Sequence, residues 1–272
     1  MKYVPSENAL LSRKRESIDS SQLVKYLSQT RLYQLENYYK NNSDILELEK
    51  KFGKYILVPL AVPLFELPDK DKFLAWWKKY SIRPIKAKGD YVADITGYSP
   101  FESIDLIHKT EPDFNLNLQT ENFKNEFPHL YQQFFDCLPF EDILFINLWS
   151  SVQEFPEHRD STEMVDFPCS IRIKLYDENP EETLFVLDNP TSPYYCTDAT
   201  FLPRLEKTNT YAWNNLRCMH GSVYDTRYKK ILAIVGGLVN VDKYELLINQ
   251  STKQFEANCI VSNFNLENYV SL

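Results

Sequence analysis

Read by the spacing of its apolar positions, the chain changes texture near residue 140. Before that point most apolar positions recur at helical intervals. Leu23, Tyr26, Leu27, Leu32, Tyr33, Leu35 and Tyr38-Tyr39 predict an amphipathic helix, capped by Ser20 or Ser21 and ended by Asn41-Asn42. A shorter helix is predicted over 44–51 and another over 69–80, whose Trp76-Trp77 pair reads as core. Phe123, Phe127, Leu130, Phe134 and Phe135 predict a helix over 121–138, interrupted near Pro128. The stretch Tyr-Ile-Leu-Val-Pro-Leu at 55–60 reads as a strand that Pro59 ends or confines to an edge, and 91–95 is a short strand candidate.

After residue 140 strand-like runs follow one another: 143–149, 170–176, 183–187, 210–213, 230–241, 244–248 and 255–261. Pro, Asn, Asp and Ser clusters separate them, with no helical periodicity between. Strands in succession without crossover helices pair antiparallel, as in a sandwich or rolled barrel. The expected fold is mainly β with N-terminal helices (α+β). An N-terminal α/β segment over 1–139 packs on a β core over 140–272, the two forming one compact unit.

Composition narrows the function classes. Eighteen Tyr and seventeen Phe suit a β-rich interior, and six Gly are too few for collagen-like or dinucleotide-binding readings. A net charge of −8 argues against a nucleic-acid partner, and the basic clusters at Arg13-Lys14-Arg15 and from Lys78 to Lys88 read as solvated surface. The five cysteines are odd in number and lack a Cys-x-x-Cys pair, which suits reduced thiols in the cytoplasm. The N-terminus has no apolar secretory core, and the longest apolar run, 231–239, has nine residues and is too short to span a bilayer. A cytoplasmic protein without a membrane or nucleic-acid partner is expected.

The chemistry-bearing residues centre on His158-Arg159-Asp160 and the distant His220. A His-x-Asp pair at a strand–loop junction can turn both side chains to one side, and a second histidine can complete a 2-His-1-carboxylate set. Such a set leaves three positions open on an iron ion. Chance supplies a lone His-x-Asp easily, so the context has to decide. His-Arg-Asp also opens a protein-kinase catalytic loop, but Val165 stands where the Asn should be, no Gly-rich loop exists and Asp166-Phe167 is followed by Pro168. A His-x-His metal motif is absent, and His108 and His129 read as structural or exposed. Cys218 and His220, two apart, make a poor nucleophile–base pair.

The surrounding positions resemble the 2-oxoglutarate/Fe(II) oxygenases, particularly the aspartyl/asparaginyl β-hydroxylase-like branch that includes some free-proline hydroxylases. The similar positions are Phe155-Pro156-Glu157-His158-Arg159-Asp160, Ile171-Arg172-Ile173-Lys174, Trp213-Asn214-Asn215, His220 and Lys230, within roughly 143–240. The resemblance implies a double-stranded β-helix core of the jelly-roll or cupin-like kind. It implies Fe(II) held by His158, Asp160 and His220, with 2-oxoglutarate as cosubstrate. It implies an anchor for the far carboxylate at Lys230, where an Arg is usual, with Arg227 and Lys229 as nearby rivals. It also places Arg172, Lys174 and Asn147 near the substrate or cosubstrate. The implied reaction consumes O2 and hydroxylates an unactivated C–H bond of an amino acid, a peptide or an amino-acid-derived metabolite. With Asp160 as carboxylate ligand, hydroxylation is preferred to halogenation. The mouth is expected to draw on the N-terminal half and on loop 188–201, with Tyr194 and Tyr195. The alternative is a non-catalytic β-barrel binding or assembly protein, a degenerate form of the same fold.

Overall fold

A computed structural model describes residues 41–83, 101–109, 118–152, 155–158, 170–187, 200–214, 219–223 and 227–261. The first two helices start where a side chain provides a cap. Helix α1 (Ser43–Phe52) begins at Asn42, whose side chain accepts from the Asp44 and Ile45 backbone N–H groups, and Lys50 and Lys51 lie in its last turn. Strand β1 (Tyr55–Pro59) follows, then helix α2 (Lys70–Tyr80), where the Asp69 side chain accepts from the Lys72 N–H at 2.9 Å. After strand β2 (Phe101–His108), α3 (Thr120–Glu126) and α4 (Pro128–Cys137) meet at Pro128, which cannot continue the first but suits the first turn of the second. The region predicted as one interrupted helix is therefore two.

The remaining strands are β3 (Phe140–Ser151), β4 (Phe155–His158), β5 (Ser170–Asp177), β6 (Leu184–Leu187), β7 (Thr200–Phe201), β8 (Thr210–Trp213), β9 (Met219–Ser222), β10 (Lys230–Val239) and β11 (Ile260–Val261). They form a seven-stranded sheet in the order β11-β1-β8-β5-β10-β3-β2 and a four-stranded sheet in the order β4-β9-β6-β7. Every strand pairing between these elements is antiparallel.

Alternation along the strands sorts side chains onto two faces of the larger sheet. Ile146, Leu148, Ile171, Ile173, Ala233 and Val235 join the main core, with Phe73, Trp76, Phe123 and Phe134 from the helices. There Trp76 meets the rings of Phe123 and Phe127 at 5.2 and 5.9 Å. The opposite face carries a smaller cluster of Leu57, Tyr211, Trp213 and Leu232, packed on Leu184 of β6. The four-stranded sheet therefore stacks on that second face, and the space between the sheets is where side chains from both can meet.

Two predicted strands differ from the structure, and β2, β4, β7 and β9 are strands that the spacing of apolar positions does not predict. The run 244–248, read as a strand, lies in helix α5 (Val241–Gln254), which Asn240 caps by accepting from the Lys243 N–H. Tyr244, Leu247, Ile248 and Ser251 are its buried positions, a 3.6-residue stripe that a five-residue window cannot show. The run 255–261 is a short 3-10 turn and the two-residue β11. Strand β2 was not predicted, and with β1 it joins the larger sheet, which therefore draws on chain before residue 140. The helix predicted over Ser21–Lys40 and the strand at 91–95 fall outside the described residues. Among the described residues no helix is long and apolar enough to cross a membrane.

One glycine is fixed by close approach. A Cβ at Gly237 would lie 2.0 Å from the Asp142 carbonyl oxygen and 2.9 Å from the Ile143 Cα, where the β10–β3 register shifts. Both neighbours are backbone and cannot step aside cheaply. Gly237→Ala is expected to lower stability by at least about 2 kcal/mol, read as a lower urea midpoint at unchanged slope.

Candidate active site

The short strands β4 and β9 pair so that the backbone of His158 stands directly opposite that of His220, and Phe155 opposite Ser222. The register shifts between the two pairs. Two residues far apart in sequence are thus brought face to face by one antiparallel pairing. The His158 side chain and Asp160 lie outside the described residues, as do Cys218, Tyr194 and Tyr195. Among the described residues no three His, Cys, Asp or Glu side chains gather into a metal-binding group.

His220 is buried, and its ring meets Trp213 edge-on, with centroids 5.0 Å apart. Trp213 ends β8 in the other sheet. Its indole also lies under the buried Arg172, whose guanidinium carbon is 4.8 Å from the ring centroid. Arg172, Trp213 and His220 therefore make a continuous stack across the gap between the sheets. The cation is held against an aromatic face, and the imidazole is braced on the edge of the same ring system.

Lys230 enters the gap from the first position of β10. Its Nζ donates to the Thr183 Oγ1 at 2.6 Å and to the Ser222 Oγ at 2.7 Å, joining the two sheets. Ser151, Asn179 and Tyr228 line the same small pocket. Burial pulls the ammonium down to about 8 from the ordinary 10.5; the Glu182 and Asp177 carboxylates pull it back up, while Lys174 and Arg204 push it down. Ser222 lies two residues after His220 on β9, so the two share a strand face about 6.7 Å apart.

The rival cations are engaged elsewhere. Arg227 is exposed, with its guanidinium carbon 5.3 Å from the Tyr228 ring centroid. Lys229 donates to the Glu102 Oε2 at 2.6 Å and sits over Trp77. Lys174 forms a buried ion pair with Glu182, and Arg204 bonds Asp177 at 3.0 Å. These pairs neutralise charge at the end of the sheets where Lys230 enters.

Arg172 belongs to a row of directly paired residues crossing the sheet: Tyr211, Arg172, Ile234, Asn147 and Asp105, on β8, β5, β10, β3 and β2. At about 4.8 Å per strand, Asn147 lies some 10 Å from Arg172. Its side-chain amide donates to the Asp105 Oδ1 at 2.8 Å. Burial raises the Asp105 pKa, against the lowering effects of the Asn147 hydrogen bond and of His108. His129 is exposed on α4 and His108 is half-buried on β2.

Sequence reasoning singled out Arg172, Asn147, Lys230 and His220 but not Thr183, Ser222 or Asp105. Ser222 was readable, because it stands two residues past His220 on a strand. Thr183 and Asp105 were not, since only strand pairing brings them to the gap.

No protein-family model matches the chain, and no curated protein sequence does. Among solved structures it is similar to a Trichoplax adhaerens prolyl hydroxylase in complex with a hypoxia-inducible-factor oxygen degradation domain peptide. That likeness has a TM-score of 0.37 and 9% identity, and covers 85% of this chain and 98% of the other. It is also similar to a Burkholderia pseudomallei oxidoreductase of the 2OG-Fe(II) oxygenase family, with a TM-score of 0.34 and 10% identity over 74% and 95% of the two chains. The epimerase SnoN in complex with Fe3+, alpha-ketoglutarate and nogalamycin RO aligns with a TM-score of 0.35 and 12% identity over 71% and 83%.

Proposed function

We propose that the chain is an Fe(II)- and 2-oxoglutarate-dependent oxygenase with a double-stranded β-helix core. Its reaction hydroxylates an unactivated C–H bond of an amino acid, a peptide or a related metabolite. The observation that carries this reading is the arrangement along β9. His220 pairs in register with His158, and two residues on, Ser222 meets the ammonium of Lys230. A five-carbon dicarboxylate requires metal ligands at one end and a fixed cation at the other.

The donor set suits the ion. Opposed positions on an antiparallel pair bring their Cβ atoms to about 5 Å, close enough for two imidazoles to reach one metal. Asp160, two residues beyond His158, is the third ligand and supplies the negative charge, so that one side of the ion stays open. When bound, iron supplies the oxygen activation that couples decarboxylation of 2-oxoglutarate to C–H oxidation. The balance is one 2-oxoglutarate, one O2 and one C–H bond consumed, with succinate, carbon dioxide and one alcohol formed.

The remaining residues bind and orient. Lys230 anchors the far carboxylate as a point charge, and the Thr183 and Ser222 hydroxyls can turn to donate to the same oxygens. Trp213 braces the His220 ring, and the apolar cluster around it keeps water out. Arg172 adds a second buried cation facing the gap.

The direct test is 2-oxoglutarate turnover with Fe(II) across an amino-acid and peptide panel, scored by succinate release and a mass gain of one oxygen. A non-catalytic barrel would neither bind 2-oxoglutarate with iron nor release succinate, and that outcome would end the enzyme reading.

A further inference from the structure

We propose that the molecule oxidised carries a cationic nitrogen, an ammonium or guanidinium group, and that Asp105 receives it. Calling that molecule a substrate rests on the oxygenase reading above; its charge rests on Asp105.

Asp105 is 8% exposed, yet among the described residues its carboxylate has one hydrogen bond, from the neutral Asn147 amide. Among the described residues no Lys or Arg forms an ion pair with it, and His108 is the one titratable group that acts on it electrostatically. A buried carboxylate with a single neutral donor is expensive to keep charged. A cationic ligand would offset that cost.

The placement turns the carboxylate to the sheet face that meets the smaller sheet rather than towards the helices. Ile104 and Leu106, on either side of it, join the main core, so Asp105 faces the other way. It shares its cross-sheet row with Asn147 and Arg172, on the face that meets the smaller sheet. The β2–β3 register shifts after Asp105, a bulge that sends both Leu106 and Ile107 into the main core while Asp105 stays in register with Asn147. The backbone is tied there: the Asp105 carbonyl accepts from the Gln119 N–H at 2.8 Å, and the Leu106 carbonyl from the Thr120 hydroxyl at 2.5 Å.

A path of polar groups leads from this carboxylate towards the Lys230 pocket. Asn147, Trp149 and Ser151 alternate along one face of β3, and Ser151 also lines that pocket. Trp149 Nε1 and Ser151 Oγ are buried without a hydrogen-bond partner among the described residues. The Trp149 ring, edge-on to Phe101 at 4.9 Å, adds an aromatic wall of the kind organic cations favour. Asp105 lies two strands across from Ile234, which is four residues along β10 from Lys230, so the two ends stand about 16 Å apart. The anion of the cosubstrate and the cation of the substrate would thus sit at opposite ends, without mutual competition.

The test compares matched pairs: L-arginine with L-citrulline and L-lysine with L-norleucine, each free and as the N-acetyl amide. Calorimetric affinities are measured on the full chain, with and without Fe(II) and 2-oxoglutarate under anaerobic conditions. At least one cationic member is expected to bind about tenfold or more tighter than its neutral counterpart. Asp105→Asn is expected to erase that difference and Asp105→Glu to retain it, while 2-oxoglutarate affinity stays within about twofold of wild type. Equal binding of charged and neutral members by the wild type, or no binding of any cationic member, overturns the proposal however the variants fold. So does a preference that survives Asp105→Asn. Failure of the oxygenase reading gives a different result: no 2-oxoglutarate binding and no succinate, with the paired affinities still measurable.

Discussion

Asp160→Ala is expected to remove 2-oxoglutarate-dependent succinate formation, by on the order of a thousandfold or more, while the urea midpoint stays near that of wild type. The physical reason is the charge and number of the ligands. In the proposed site two neutral imidazoles and one carboxylate would hold a divalent ion on one side; without the carboxylate, the ion would lose a third of its protein ligands and its only anionic one. Iron content after anaerobic loading should fall together with activity. His220→Ala should lose activity to the same degree but also cost stability, because the buried ring packs on Trp213. Comparing the two variants separates loss of metal from loss of packing. Retention of more than a tenth of wild-type turnover by Asp160→Ala would sink the ligand assignment.

Lys230→Ala should raise the KM for 2-oxoglutarate about a hundredfold, the scale of a buried charge-assisted hydrogen bond. Its effect on the maximal rate should be smaller, since an anchor of the proposed kind would bind ground state and transition state alike. Arg227→Ala should change KM less than twofold, because that guanidinium is exposed and rests on Tyr228. The reverse pattern would move the anchor to Arg227.

The depressed ammonium also sets a pH signature. Lys230 titrates near 8, so its charge is present below that value and lost above it. KM for 2-oxoglutarate should therefore rise as pH passes through about 8, and Lys230→Arg should flatten that rise because a guanidinium stays charged. Stability carries the opposite sign. The unfolded ammonium titrates near 10.5, so between about 8 and 10.5 the unfolded chain binds more protons than the folded one. Without ligand, this group makes stability rise with pH across that window, as deprotonation relieves the cost of burial. Urea midpoints of wild type and Lys230→Met over pH 7.5 to 10 would show the difference in slope, with the window taken from the lysine values.

How much of this was written in the sequence depends on the range of the information. Helices α1 and α2 were legible because caps and periodicity are local: Asn42 and Asp69 bond to N–H groups two or three residues away. Most of the strands after residue 140 were legible for the same reason, through runs of β-branched and aromatic residues. Helix α5 was misread because Tyr244 to Ile248 resembles a strand in a short window, and its buried stripe shows only over the longer span to Ser251.

The candidate site divides along the same line. Sequence alone determined which residue types were at hand: a His-x-Asp motif, a second histidine, and three basic residues at 227, 229 and 230. It could not determine that His158 and His220, 62 positions apart (158 to 220), would stand opposite each other, because register is set by pairing between β4 and β9. Nor could it separate Lys230 from its neighbours. Successive residues on a strand or its flank point to different sides, and only the stacked sheets decide which side is the interior. Asp105 is the sharpest case. In sequence it is one acid among 38; in the folded chain it is a buried carboxylate in the same row as Arg172, because five strands happen to align there.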